Sequence, residues 1–401
     1  MIPQEILKSL SVSTPSKIVL LVMDGLGGLS MGDGTALEVA RTPYLDALAA
    51  EGALGLTDPI SPGITPGSGP AHISLFGYDP IRYQIGRGVL EATGISMKLG
   101  PEDVACRGNF ASMDAGGLIT DRRAGRITTE ENRRLVDILK QAVREIDGIE
   151  VIIQSVKEHR FVVVFRGGGL DGRIADTDPQ AIGARSLDPR PLDSVADDTA
   201  GIVKEFISRA NRALRNERPA NTLLLRGFSS LPHIPSMEEL FHLTPAAIAA
   251  YPMYRGLAGL VGMEILKTGD EIRDEFQTLK ENWSRFDFFF VHVKKTDSYG
   301  EDGSFEKKVK IIEEVDRLIP ALKALKPDVI AVTGDHSTPC LLKGHSWHPN
   351  PLLLWSPYVR RDEIARFSEI ECARGGLGRL SAVEVMPLLL ANALKLEKFG
   401  A

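Results

Sequence analysis

Asp24, Ser68, Asp297, Glu301, Asp335, His336 and His345 carry the side-chain types that hold divalent cations or attack phosphorus. Carboxylates gathered in one site repel each other, and ionised carboxylates in a crowded place need cations to hold them. A set of carboxylates and imidazoles suits Zn²⁺ or Mn²⁺. A serine beside such ions could ionise and attack phosphorus, because a metal lowers the pKa of a hydroxyl and stabilises developing charge. His336, His345 and His348 fall in one short segment of a chain with only 8 histidines. Asp297 and Glu301 are spaced to share a helical face and one ion. Gly300 and Gly303 leave a loop equally open there, with Glu301 a solvated carboxylate.

Ser68 is the centre of Gly63-Ile-Thr-Pro-Gly-Ser-Gly-Pro-Ala-His72, a stiff turn whose only large apolar side chain is Ile64. The following Ala71–Phe76 reads as a helix start, with Pro70 suited to the first helical position. Ser68 then lies just ahead of a helix N-terminus, where backbone N–H groups favour an anion. A serine that merely caps the helix is the plain alternative.

Buried strands must position these groups. Ile18–Met23, Phe286–Val293 and Asp328–Thr333 are continuous apolar runs, the pattern of strands covered on both faces in a parallel sheet. Asp24, Asp297 and Asp335-His336 follow their carboxyl ends, which is where small-molecule sites of open α/β sheets lie. Pro351–Trp355 reads as a fourth strand. Helices are expected at Pro3–Leu10, 43–51, 256–266, Phe305–Leu325 and 381–395. From about residue 102 the character changes to short strands with hairpin-like spacing and two helices, 129–146 and 193–216, and it reverts near 235. This predicts an α+β domain at 102–234 inserted into an α/β domain formed by 1–101 and 235–401.

The 401 residues exceed what one core usually organises, in keeping with two domains. Apolar residues at 43% and charged residues at 25% describe an ordinary globular chain. The net charge of −6, without a basic block, argues against nucleic-acid binding. Three scattered cysteines make no disulfide framework, no signal-peptide pattern opens the chain, and no apolar run would span a bilayer. A cytoplasmic location is expected, with no membrane partner; oligomeric state is not legible.

Val22-Met-Asp-Gly25, Thr65-Pro-Gly-Ser-Gly-Pro-Ala-His72, Leu75-Phe-Gly-Tyr-Asp-Pro80, Gly86-Arg-Gly88, Lys294-Lys-Thr-Asp297 and Thr333-Gly-Asp-His-Ser-Thr-Pro339 with His345 resemble the archaeal-type cofactor-independent phosphoglycerate mutases. These belong to the alkaline phosphatase superfamily. The resemblance covers essentially the whole chain. It implies an alkaline-phosphatase-like, mostly parallel sheet with helices on both faces, interrupted by a smaller α+β substrate-binding lid. It implies two divalent ions (Mn, Zn, Mg or Co) and no 2,3-bisphosphoglycerate. Asp24, Ser68, Asp335 and His336 would hold one ion, with Ser68 also the nucleophile; Asp297, Glu301 and His345 would hold the other. The family usually has histidine where this chain has Glu301.

The implied reaction interconverts 2- and 3-phosphoglycerate through a phosphoserine. The substrate's carboxylate and phosphate call for guanidinium and ammonium groups. The candidates are Arg107, Arg122, Arg126, His159, Arg160, Arg166, Arg226, Arg255 and Lys294. Asp121-Arg122 and His159-Arg160 are favoured because they look like polar motifs of the family's second domain. Asp178 is the candidate for moving hydroxyl protons. A related phosphatase, phosphopentomutase or phosphotransferase acting on another small phosphorylated metabolite is the alternative.

Overall fold

The computed structural model describes residues 3–400. The chain forms two compact units, residues 1–84 with 234–401, and residues 85–233. Its strands in order are β1 (Ile18–Met23) and β2 (Ala53–Asp58) in the first unit. The second unit holds β3 (Val104–Met113), β4 (Ile119–Asp121), β5 (Glu145–Ile146), β6 (Ile149–Lys157), β7 (Arg160–Arg166) and β8 (Thr222–Ser230). The chain returns to the first unit with β9 (Pro245–Ala249), β10 (Glu264–Leu266), β11 (Phe288–Val293), β12 (Val329–Thr333), β13 (Asn350–Trp355) and β14 (Gly378–Ser381).

The first unit is built on an eight-stranded sheet in the order β10-β9-β11-β1-β12-β13-β2-β14. The run from β10 to β12 is parallel, while β13 is antiparallel to both β12 and β2. The three apolar runs of the sequence are its adjacent central strands. Their register pairs Met23 with Val293 and Val22 with Thr333, so β11, β1 and β12 end at one level. Asp24, Lys294 to Asp297, and Asp335-His336 therefore leave the sheet along a single edge.

The two faces of these strands differ. Val19, Leu21, Phe289, Val291, Ile330 and Val332 turn to one side and join the main apolar core. On the other side Phe290 and His292 meet the helix Ser68–Leu75 and Tyr254. Phe76 packs edge-on to Phe290 at 4.9 Å and Tyr254 stacks on His292 at 3.8 Å. Burying an aliphatic side chain contributes roughly 1.5–3 kcal/mol. Leaving a buried polar atom unsatisfied costs roughly 1–3 kcal/mol. His292, fully buried with neither ring nitrogen in a good hydrogen bond among the described residues, forgoes the first and incurs the second. Stability alone gives no reason for a histidine there.

In the second unit β3 is central: it pairs with β7 and β8 along its length and with β4 at its end. The helices Thr129–Ala142 and Asp197–Leu214 cover one face, burying Leu135, Leu139 and Phe206 against Phe161 and Phe165. Thr128 caps the first helix, accepting from Glu131 N at 3.2 Å. On the chain side entering β3, Gly88 lies so close to the strand that a Cβ would sit 2.1 Å from the Ala105 carbonyl.

Several element boundaries differ from the sequence expectation. The helix at 129–146 stops at Ala142, because Asp147 and Gly148 take positive φ and turn β5 into a hairpin with β6. The stretch 256–266 is not one helix: a helix ends at Leu260 and edge strand β10 follows. Phe305–Leu325 breaks into Phe305–Asp316 and Ile319–Ala324, the second with Pro320 in its first turn. The helix carrying Ser68 starts at Ser68 itself, which makes Pro70 its third residue rather than its first. No helix among the described residues is long and apolar enough to cross a membrane.

Candidate active site

Beyond the carboxyl edge of β1, Gly25 takes φ +62 and turns the chain sharply, so Asp24 faces back over the strand ends. Ser68 makes no capping bond; Gly67 is the cap residue, and the serine hydroxyl is left for other partners. Its Oγ lies 3.2 Å from His336 Nε2. The same nitrogen is 3.1 Å from Asp335 Oδ2 and 3.4 Å from Asp24 Oδ1. Asp24, Asp335 and His336 are all fully buried.

The second group stands beside the first. Lys295–Glu301 is a short helix, so Asp297 and Glu301 do share a face, resolving the loop alternative. His345 Nε2 lies 3.7 Å from Asp297 Oδ1 and 3.9 Å from Glu301 Oε1, and its ring stacks on His336 at 3.6 Å. Ligand atoms of Asp24, Asp335 and His336 lie within 4.8 Å of one another, and so do those of Asp297, His336 and His345. His336 thus belongs to both triads, while Glu301 stands at the edge of the second. His348 is in neither; its Nδ1 meets Ser346 Oγ at 3.0 Å.

Electrostatics ask for cations here. Burial pushes Asp24 up, but the His292 ring 3.3 Å away and the Lys294 charge outweigh it and hold Asp24 well below the usual carboxylate range. Asp335 is driven well above that range by burial and by the Asp24 charge. Two buried carboxylates split in this way because they cannot both ionise unaided. Asp24 Oδ1 and Asp335 Oδ2 are buried without a hydrogen-bond donor among the described residues. Burial lowers His336 well below the usual imidazole range, leaving it neutral and able to ligate. Orphaned carboxylate oxygens around a neutral imidazole fit a divalent cation.

The sequence reading missed four supporting residues. Lys294, known there only as a substrate candidate, bridges the two groups: its Nζ is 3.0 Å from Asp24 Oδ2 and 2.6 Å from Asp297 Oδ2. Tyr254 Oη lies 3.0 Å from the same ammonium. Burial would lower Lys294, but Asp24 and Asp297 more than offset it and raise its pKa. His292 Nε2 approaches Asp24 Oδ2 at 3.3 Å, and His72 Nδ1 approaches Asp335 Oδ2 at 3.3 Å. Lys308, buried under the turn, donates to the carbonyls of Gly25 (2.7 Å), Thr338 (2.9 Å) and Gly27 (3.3 Å). A histidine inside the apolar run Phe288–Val293 and His72 at the end of the serine turn were the visible signals; Tyr254 and Lys308 gave none.

In the second unit, Arg107 on β3 faces Arg226 on β8, and Asn109 faces Arg160 on β7. Like charges directly opposite each other destabilise a sheet unless something neutralises them. Burial first, with neighbouring Arg160, Arg87 and Arg226, lowers Arg107 despite Glu91. Arg160 Nε and Arg226 Nε are buried donors without a hydrogen-bond acceptor among the described residues, and His159 Nδ1 is a buried ring nitrogen without a hydrogen-bond partner there. Burial and then Arg160 lower His159 to about 4, so it is neutral. Asn132 fixes this corner by donating to the carbonyls of Glu158 (2.6 Å) and Arg160 (2.8 Å).

The remaining candidates are placed differently. Asp178 receives two bonds of 2.8 Å from Arg122. Burial would raise it, yet Arg122 brings it below the usual carboxylate range, and a carboxylate so held is a weak base. Asp121 accepts from the backbone N–H groups of Arg123 and Gly125, both at 2.7 Å, and serves its own turn. Arg166 pairs with Asp103 at 2.7 Å. Arg126 follows the tight Gly125 turn, at φ +53. Arg255 is half-buried on the helix Pro252–Leu260, next to Tyr254.

Two adjoining carboxylate–imidazole clusters beside a serine, at the carboxyl edge of an α/β sheet, define a class, the metal-dependent phosphoryl-transfer enzymes. Residues 49–221 match the family model described as 2,3-bisphosphoglycerate-independent phosphoglycerate mutase. A Thermotoga neapolitana protein described as a probable member is 55% identical over 398 residues, 99% of each chain. One from Thermus thermophilus is 54% identical over 401 residues, again 99% of each. The solved cofactor-independent phosphoglycerate mutase of Thermoplasma acidophilum is similar with a TM-score of 0.77 and 32% identity, over 94% of this chain and 100% of that one. A Pyrococcus horikoshii structure gives 0.81 and 31%, over 96% and 99%. The chain belongs to the 2,3-bisphosphoglycerate-independent phosphoglycerate mutases and is an isomerase.

Proposed function

We propose that the chain interconverts 2-phosphoglycerate and 3-phosphoglycerate by passing the phosphoryl group through Ser68. The observation that carries this reading is the uncapped Ser68 hydroxyl, 3.2 Å from His336 Nε2 where the two triads meet. Asp24, Ser68, Asp335 and His336 would hold one divalent ion; Asp297, His345 and Glu301 would hold the other. Bound there, such ions lower the pKa of a serine hydroxyl and neutralise charge on a transferring phosphoryl group. The oxygen-rich donor set favours a hard ion such as Mn²⁺, with Zn²⁺, Mg²⁺ and Co²⁺ as the other candidates.

Ser68 Oγ forms a bond to phosphorus as the bond to one glycerate oxygen breaks. The other glycerate hydroxyl then takes the group and frees the serine. Because Ser68 stores the phosphoryl group, no 2,3-bisphosphoglycerate primer is needed. Lys294 supplies a fixed positive charge beside the reacting atoms. Arg160, Arg226 and His159, each with a buried nitrogen that lacks a hydrogen-bond partner among the described residues, are with Arg107 the groups proposed for the substrate's acid functions, and residues 102–234 are the proposed substrate-binding lid. Asp178 holds Arg122 and lies 3.5 Å from Arg226 Nη1, and its acid–base role requires Arg122 to let go. Arg255 is the further substrate candidate, and the proposed setting is cytoplasmic.

A coupled assay on protein reconstituted with Mn²⁺, without added bisphosphoglycerate, tests this. Isomerisation of 3-phosphoglycerate with little inorganic phosphate is expected. Phosphate release matching or exceeding isomerisation would assign the chain to hydrolysis instead.

A further inference from the structure

Thr338 belongs to the segment after β12, yet its hydroxyl touches a member of each ligand set. Its Oγ1 is 2.6 Å from Asp297 Oδ1 and 3.0 Å from His336 Nδ1. The residue is fully buried and held from several sides. Its N–H donates to the Gly27 carbonyl at 3.0 Å, and its own carbonyl accepts from Lys308 Nζ at 2.9 Å. Two glycines make room for it. A Cβ on Gly25 would lie 2.5 Å from Thr338 Oγ1 and 2.8 Å from Asp297 Oδ1. A Cβ on Gly300 would lie 2.4 Å from the Thr338 carbonyl.

A hydroxyl has one proton to give and lone pairs to accept with. Asp297 already accepts from the Lys294 ammonium at 2.6 Å, so its carboxylate is an acceptor on the Thr338 side as well. The hydroxyl proton therefore goes to Asp297, and Thr338 Oγ1 accepts from His336 Nδ1–H. That fixes the imidazole with its Nε2 lone pair toward Ser68, Asp24 and Asp335. The opposite arrangement would put an N–H on the face where a ligand lone pair is required.

We propose that Thr338 is a positioning residue that sets the His336 tautomer and joins the two cation sites, so that removing its hydroxyl weakens both together. This rests on the two-ion reading above. The role needs an oxygen that both donates and accepts, which serine supplies and valine does not.

Mn²⁺ titration of metal-stripped protein, followed by electron paramagnetic resonance, tests it alongside ¹⁵N NMR of the His336 ring, assigned with H336Q. The native protein is expected to bind two Mn²⁺ and to show the Nδ1–H tautomer. Thr338→Val should weaken both ions about 10- to 100-fold and lose the single-tautomer signature, while Thr338→Ser restores both. Should T338V fail to fold by circular dichroism, T338A and the native ring spectrum carry the same test. An Nε2–H tautomer in the native protein would overturn the proposal. So would native-like affinities in T338V, weakening of one ion alone, or failure of serine to rescue. If the native protein itself binds fewer than two Mn²⁺, the two-ion reading and this proposal fall together; if it binds two, only the Thr338 role is at stake.

Discussion

The two ligand clusters share a histidine ring but live in different solvents. Asp24, Asp335 and His336 are fully buried, and the protein supplies every group around them: His292, His72, the Gly25 N–H at 3.0 Å from Asp335 Oδ1, and Lys294. In the other cluster Asp297 is buried, but the His345 side chain is 22% exposed and that of Glu301 54%. Charge in the first is fixed by neighbours in a low dielectric, where an unpaired carboxylate is costly. Charge in the second is shared with water, which can stand in for a missing ligand. Substitutions should therefore be severe and unforgiving in the closed cluster and graded in the open one.

The largest effect belongs to the closed cluster. Ser68→Ala should reduce mutase turnover by at least about 10³-fold, since it removes the atom proposed to carry the phosphoryl group. Because Ser68 caps nothing, the variant should melt within a few degrees of native protein. Substantial turnover in purified S68A would erase the distinction between the clusters.

The open cluster should respond more mildly. Glu301→Ala is expected to weaken one Mn²⁺ by about tenfold and leave the ion at Asp24, Asp335 and His336 in place. Glu301→His should stay active and change the order in which metals activate, because an imidazole is a softer donor than a carboxylate. Equal binding of both ions by E301A, read by titration, would mean that water completes that site and Glu301 faces solvent.

Glu275 sharpens the contrast at the smallest scale. It lies in a cavity of about 200 Å³ beside Lys294, and its Oε2 is buried without a partner among the described residues. Burial raises it to about 8, whereas Asp24, with His292 and Lys294 against it, stays ionised. A carboxyl whose folded pKa is raised keeps its full contribution below the unfolded value near 4.5 and loses it as pH rises through about 8. Glu275→Gln removes that loss. The melting temperature of E275Q relative to native should thus climb by a few degrees between about pH 5 and pH 9. A difference independent of pH would show that Glu275 is not protonated in the folded chain.

The central strands and the residues that follow them were legible because β1, β11 and β12 are apolar on both faces, and only a strand buried on both sides reads that way. The Asp297–Glu301 spacing was equally plain, though the glycines hid the helix. Strands β2, β9, β10 and β14 were not legible. Pro245-Ala-Ala-Ile-Ala249 is short and alanine-rich, and β10 and β14 are edge strands with exposed positions. The supporting residues were hidden for another reason. His72 and Lys308 act through contacts with residues far away in sequence, His72 with Asp335 and Lys308 with Gly25, the latter 283 positions off, and spacing cannot reveal these. His292 could have been noticed, since an imidazole inside Phe288–Val293 breaks an otherwise apolar run.

The most direct test is to trap the phosphoryl group. Metal-loaded protein mixed with 3-phosphoglycerate labelled with ³²P, quenched within one turnover and digested, should carry label on the peptide containing Ser68. A chase with unlabelled substrate should move that label into phosphoglycerate rather than into free phosphate. Label on any other residue, or product formed while no protein-bound phosphate ever accumulates under any quench, would contradict a phosphoserine route through Ser68.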